Sequence, residues 1–386
     1  MRILLLGEFS RLHNSLKEGL ISLGHDVTIA GSGDDFKQFP VDFFVASKTI
    51  KNNKTALFLN RVAIKLFKFD FQKLERAIRF LCFLPKLKNY DVVQIINSDA
   101  IETFPWISML FYKKLMAQNK RFFLLICGDE TPIIEHLLKN EVPYSVLTPL
   151  IENRKLEKKF SYSLKYVTPQ YRKLYEFIKK NCDAILVSDL DYKIPMESYK
   201  TKIHFVANPI NVDKIQYVVP SISNKIVIFH GKNKHSYLKK GSYFFEEALA
   251  VIQQKYPNNV EIIITDSLPY IEYQKYIDKA HIVLDQVYSW DQGYNALEAM
   301  AKGKVVFSGA EKEFIAHYKL NKIVAINALP DVTYLVNELS ILIEDPHLIL
   351  TISENARQFV TQKHHYITQA EKYLNVWENF NLRSKY

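Results

Sequence analysis

The sequence predicts an α/β protein built from two Rossmann-like domains, each a parallel sheet covered by helices, and three observations carry that expectation. Short β-type runs alternate with amphipathic stretches along the chain, the pattern that gives parallel strands with helices on both faces. The length of 386 residues exceeds what one hydrophobic core usually organises. A segment rich in Asn, Pro and Ser, from Asn208-Pro209-Ile210-Asn211-Val212 to Ser223, separates two such series. The expected division is residues 1–212, 213–365, and a helical tail at 366–386 that returns to the first domain.

Composition narrows the class. Hydrophobic residues at 48% and charged residues at 24% exclude a largely disordered chain, and 11 Gly with 14 Pro exclude a fibrous one. Cys82, Cys127 and Cys182 are far apart and lack CxxC or clustered-histidine spacing. Neither a zinc site nor a disulfide framework is expected, and the thiols point to a reducing, cytoplasmic setting.

In the first half, the apolar run 1–6 stops at Gly7-Glu8. It is too short for the core of a signal peptide and reads as a buried strand over 3–6. Gly7-Glu8-Phe9-Ser10-Arg11-Leu12-His13 is a strand-to-helix turn whose amides could face an anion, or an ordinary turn capped by Ser10. A helix over 14–23 and strands over 27–30, 92–96, 122–126 and 184–187 follow. Gly31-Ser32-Gly33 lacks the third glycine of a dinucleotide fingerprint, so NAD or FAD is not expected. No apolar stretch approaches the roughly 18 residues needed to span a bilayer.

The net charge of +10 lies in the first half, where residues 1–212 carry 32 Lys+Arg against 22 Asp+Glu while residues 213–386 carry 19 of each. Residues 51–90 alone hold ten basic and two acidic side chains, interleaved with Leu57, Phe58, Leu66, Phe67, Phe69, Phe71, Phe80 and Phe83. Three readings stay open for this patch: a solvated helical face, a surface for anionic lipid, or a nucleic-acid groove. No helix-turn-helix, zinc-finger or RNP signature accompanies it, which disfavours nucleic acid. Asp189-Leu190-Asp191 fits a metal-binding DxD pattern, but no third ligand is near, so it is read as a loop with no metal.

In the second half, strands are expected over 226–229, 261–265, 282–284, 305–307 and 323–326, with helices over 241–256 and 295–301 and a long helical segment over 346–380. Lys232, Lys234, Lys239 and Lys240 converge at the strand-to-helix junction His230 to Gly241. Compact positive charge there suits a diphosphate, though a solvated basic loop is the plainer reading. Gly293 at a helix start exposes amides for phosphate, and Glu298 one turn later can accept hydrogen bonds from ribose hydroxyls.

Gly24-His25-Asp26-Val27-Thr28, His204-Phe205-Val206-Ala207-Asn208-Pro209-Ile210-Asn211 and Leu297-Glu298-Ala299-Met300-Ala301-Lys302-Gly303-Lys304-Val305-Val306 together resemble motifs of the GT-B-fold retaining glycosyltransferases of family 4. The resemblance runs nearly end to end and implies two Rossmann-like domains with parallel sheets facing across a cleft. It implies that Lys232 and Lys240, with Lys239 beside it and Lys234 as a substitute for Lys232, hold a donor diphosphate. It further implies that Gly7, Gly293, Tyr294 and Asn295 contribute to the donor site, that Glu298 grips ribose, and that His13 and Asp129 lie on the acceptor side. The family's paired glutamates leave a gap here, because the first falls on Trp290. Asp291, slightly favoured, or the Asp285-Gln286 pair is expected to replace it, which makes Lys240, Glu298 and Asp291 the catalytic candidates. Cys127-Gly128-Asp129 stands where the family commonly has a histidine first.

The implied function is transfer of a sugar from a UDP- or GDP-sugar to a glycan or glycolipid acceptor with retention of configuration, in cell-surface polysaccharide biosynthesis. No cofactor, metal or nucleic acid is expected, and the basic face places the protein peripherally at the inner face of a membrane. A non-catalytic nucleotide-sugar or partner-binding module and a nucleotide-sugar epimerase are the alternatives on the same fold.

Overall fold

The computed structural model describes residues 1–34, 37–199, 202–222 and 225–379. Two parallel sheets organise them. The first contains β1 (Arg2–Leu6), β2 (Asp26–Gly31), β3 (Phe43–Phe44), β4 (Val92–Ile95), β5 (Arg121–Ile126), β6 (Ala184–Val187) and β7 (Ile203–Phe205) in the order β3-β2-β1-β4-β5-β6-β7. The second contains β8 (Ile226–Lys232), β9 (Val260–Asp266), β10 (Ile282–Leu284), β11 (Val305–Ser308) and β12 (Ile326–Asn327) in the order β12-β11-β10-β8-β9.

The central strands read as unbroken apolar runs because both faces are covered. In β8, Ile226 and Ile228 pack into one cluster with Phe245, while Phe229 packs against Tyr273 and Tyr276. β3 and β7 escape the sequence reading because each is a short edge strand; β3 pairs through Phe43 and Phe44 alone. The run over 323–326 shrinks to Ile326–Asn327, with Ile323 exposed.

The expected helix over 346–380 is two helices, Pro346–Lys363 and Tyr366–Glu378. The break has a tertiary cause. Ile210 N–H donates to the His364 carbonyl and Tyr366 N–H donates to the Ile210 carbonyl, so the two crossings between domains run side by side. Beyond the break, the helix Tyr366–Glu378 lies on the helix Leu12–Ser22 of the first domain. Gly19 leaves room for Tyr366 and Ala370 there, and Trp377 Nε1 donates to Gln94 3.2 Å away. Ser223 and residues 380–386, which the expected join and tail include, lie outside the described residues. No described helix is long and apolar enough to cross a membrane.

Strand order reverses between β1 and β4 in one sheet and between β8 and β10 in the other. Crevices open at such switch points, outside the carboxyl ends of the strands, and here the two crevices face each other.

Candidate functional site

A cavity of 570 Å³ lies between the domains, lined by residues that follow the strands: Asn97 after β4, Asp129 after β5, Asp189 after β6, Asp285 and Gln286 after β10, and Lys232 at the end of β8. Gly293, Tyr294 and Asn295, at the start of the helix Tyr294–Ala301, complete the second-domain wall. The first-turn amides of that helix have no partner within it, and its dipole favours an anion there.

Lys240 also lines the cavity, its Nζ 2.6 Å from Oδ1 of buried Asp285. Its position depends on Gly241, whose φ of +62° ends the short helix Tyr237–Lys240 and starts the helix Ser242–Lys255. A Cβ on Gly241 would also stand 2.3 Å from Val287, so no side chain fits. Lys232 reaches the cavity and pairs with Glu246 at 2.5 Å. Lys239 spans the cleft to Asp129, with both carboxylate oxygens within 2.8 Å of its Nζ. Lys234 is a correction: its side chain is 75% exposed and lies outside the lining, because its ammonium turns to Asp266 at the end of β9 while Asn233 and His235 on either side of it line the cleft.

Glu298 is buried and accepts a 2.8 Å hydrogen bond from the Tyr270 hydroxyl, with Arg11 3.6 Å away. Burial raises its pKa, while Tyr270 and Arg11 oppose the rise. It lines a smaller adjoining cavity of 500 Å³, and Tyr270, which lines both cavities, stands between Glu298 and the main cleft. Sequence reading missed Arg11 and Tyr270. Arg11 stands in the turn after β1 and Tyr270 at the first residue of the helix Tyr270–Lys279 that follows β9, so the carboxyl-end rule was the available signal.

Two candidates near the first turn do not reach the cleft. Gly7 adopts φ +86° and packs so closely on Ile96 that a Cβ would meet it at 2.5 Å, so it shapes the turn from behind. His13 is fully buried, its Nδ1 2.7 Å from the Gly7 carbonyl, and burial lowers its pKa to about 4. It braces the turn as a neutral ring and is no acceptor-side group. Glu8 beside it is also fully buried, bonded to Asn14, and burial raises its pKa to about 8. Native Glu8 therefore holds its proton where the unfolded chain, with a pKa near 4.5, releases it. Its stabilising contribution is full below the unfolded value and is lost as pH rises through about 8. Glu8→Gln should gain melting temperature relative to the native protein between about pH 6 and about pH 9. A difference that stays flat or falls over that range in thermal melts would refute the assignment.

Asp291 is a second correction. It is 1% exposed, does not line the cleft, and accepts from the backbone N–H groups of Leu190 and Gln292, while burial raises its pKa to about 7. Asp285 and Gln286, the less favoured pair, are the ones on the cleft wall. Asp189 and Asp191 are not in a loop: Asp189 stands at the N-cap position of the helix Leu190–Ser198, without a side-chain capping bond, and Asp191 sits in its first turn. Asp129 does lie in the cleft, held by Lys239 and by Ser163 at 2.5 Å. Cys127 lines the cleft too, but burial pushes its thiol pKa up, so it is no nucleophile. Among the described residues no group of three His, Cys, Asp or Glu side chains is placed to hold a metal ion.

Residues 236–375 match the family described as glycosyl transferase-like. The chain is similar in structure to the sucrose-phosphate synthase of Thermosynechococcus elongatus, with a TM-score of 0.61, 13% identity and 98% of each chain covered. It is similar also to Anabaena HepE in complex with UDP and glucose, with a TM-score of 0.59, 12% identity, and 98% of this chain and 99% of that one covered. A third likeness is to WaaG, a glycosyltransferase involved in lipopolysaccharide biosynthesis, with a TM-score of 0.58, 13% identity, and 98% and 100% covered. No curated protein matches the chain in sequence. The two-domain architecture expected from the sequence is the one these structures share.

Proposed function

We propose that this chain, a GT-B glycosyltransferase by its fold and by its glycosyl transferase-like segment, moves a sugar from a nucleoside diphosphate donor to an acceptor hydroxyl with retention of configuration. One observation carries the reading. Lys232, Lys240 and the open amides of the helix Tyr294–Ala301 meet in one interdomain cavity, where preorganised positive groups stabilise charge growing on a departing diphosphate. Glu298, buried one turn inside the same helix, is the residue we assign to the ribose, which reaches it past Tyr270. The acceptor proton passes to a donor phosphate oxygen, so no protein base is needed. UDP, bound by the HepE neighbour, is the first donor base to try.

Thermal melts with a panel of UDP- and GDP-sugars test this, because a ligand that binds the folded state alone raises apparent stability. A rise with one base class is expected, followed by sugar transfer whose product keeps the donor's anomeric configuration by NMR. No rise with any nucleotide sugar would refute the reading.

The acceptor we infer is a glycolipid at an anionic membrane. The helices Lys54–Phe67 and Phe71–Phe83 leave Phe58, Leu66, Phe67, Ile78 and Leu81 exposed, Phe67 by 75%, and Trp106 adds to the same domain's exposed apolar surface. Lys54, Arg61, Lys65 and Lys68 are exposed among them. Apolar side chains rimmed by lysine suit an interface of acyl chains and anionic headgroups. Phe69, between the two helices, stacks on Phe104. The protein should sediment with vesicles containing phosphatidylglycerol at low salt and less with phosphatidylcholine alone. Phe58→Ser/Phe67→Ser should weaken that binding by about tenfold or more, given ~1.5–3 kcal/mol per fully buried apolar side chain. Equal sedimentation on both lipids, or none at low salt, would eliminate the membrane.

A further inference from the structure

Three carboxyl side chains meet where the domains touch beside the cleft: Asp189 and Asp191 after β6, and Asp291 after β10. Two of them are fully engaged. Asp191 accepts from Trp290 N–H at 2.7 Å and from the Ser289 hydroxyl at 2.5 Å. Asp291 accepts from Leu190 N–H at 3.4 Å and from Gln292 N–H at 2.6 Å. The two bonds to Asp191 and the bond from Leu190 cross between the domains in both directions. They fasten the β6 loop of the first domain against the loop that carries Trp290.

Asp189 differs. It lines the cleft and is 6% exposed, and its Oδ1 has no hydrogen-bond partner. A buried polar atom left unpaired costs about 1–3 kcal/mol, and in a folded protein such an atom calls for an explanation. A ligand hydroxyl supplies one here. Trp290, which lines the same cleft, occupies the position where the resemblance expects an acid facing the donor sugar, and Asp191 holds that residue's backbone against Asp189's own helix.

We propose that Asp189 supplies from the first domain the carboxyl that meets a hydroxyl of the transferred sugar, in place of the acid missing at Trp290. The inference rests on the reading of the cleft as a sugar-nucleotide site. Burial, with the like charges of Asp191 and Asp291 close by, raises the Asp189 pKa well above the ordinary carboxylate range. The geometry beside it is an unpaired carboxyl oxygen at the cleft wall, which suits a hydroxyl that can donate to it. Because the group comes from the opposite domain, the sugar contact exists only while the domains stay fastened as here, which ties donor selection to domain closure.

The test compares native protein, Asp189→Ala and Asp189→Asn. Dissociation constants are measured for UDP and UDP-glucose, or for GDP and GDP-glucose if the guanosine nucleotides are the ones that stabilise the native protein. The ratio of the sugar nucleotide's constant to that of the bare nucleotide should rise about tenfold in Asp189→Ala, the order expected for one buried polar contact, with bare nucleotide binding unchanged. In Asp189→Asn the preference between donors epimeric at one sugar hydroxyl should shift by about threefold or more, which decides the matter even if the alanine variant fails to fold. Unchanged ratios and preferences in both variants would overturn the role of Asp189 and leave the donor site standing. Failure of the native protein to bind either bare nucleotide would overturn both.

Discussion

Lys240→Ala is expected to lower kcat/KM for sugar transfer by about 10²–10³-fold, the usual cost of removing one preorganised group that stabilises developing negative charge. Most of the loss should appear in kcat, because the charge on the departing diphosphate grows in the transition state. The substitution also strands Asp285, whose side chain is only 4% exposed and which now pairs with Lys240 at 2.6 Å. An unpaired buried carboxylate destabilises the fold, so a single variant would confound folding with catalysis. The double variant Lys240→Met/Asp285→Asn separates them: it should melt close to the native protein and remain as slow as Lys240→Ala. Recovery of turnover in the double variant would show that the lysine serves packing and not the donor.

Glu298→Gln should act on binding. Hydrogen bonds to a charged partner contribute about 1.5–3 kcal/mol, so losing the carboxylate should weaken UDP binding by roughly tenfold or more. The decisive comparison is between UDP and 2′-deoxy-UDP. Native protein should prefer the ribonucleotide by about tenfold, and the variant should lose most of that preference, because the amide offers one neutral acceptor oxygen where the carboxylate offers two to the vicinal hydroxyls. Arg11 and Tyr270 contact the same side chain from two sides, and both must yield room for the ribose. A variant with undiminished discrimination would place the ribose elsewhere.

Several of these residues were legible before any fold was known. Lys232, Lys240, Gly293 and Glu298 stand at strand-to-helix junctions marked by the change from apolar run to amphipathic stretch, and the structure brings Lys232, Lys240 and Gly293 into one cavity with Glu298 adjoining it. Asp291 and His13 were misjudged for a common reason. Backbone groups outside its own element decide the direction of each: Leu190 N–H for Asp291, in the loop after β10, and the Gly7 carbonyl, in the turn after β1, for His13 at the start of the helix Leu12–Ser22. Asp189 was set aside as half of a chance DxD, and only the crossing of Asp191 to Trp290, 99 residues away, reveals what surrounds it.

The sequence alone determined the two parallel sheets, their order along the chain and the junctions that bear the lysines and Glu298, because apolar periodicity and glycine-marked turns are written over a few neighbouring residues. Only the tertiary structure decided which acids face the cleft and which are tied to backbone, where the long C-terminal helix breaks, and that Arg11 and Tyr270 guard Glu298. Those outcomes depend on hydrogen bonds and ion pairs between segments far apart in the chain, and local sequence carries no record of the partner.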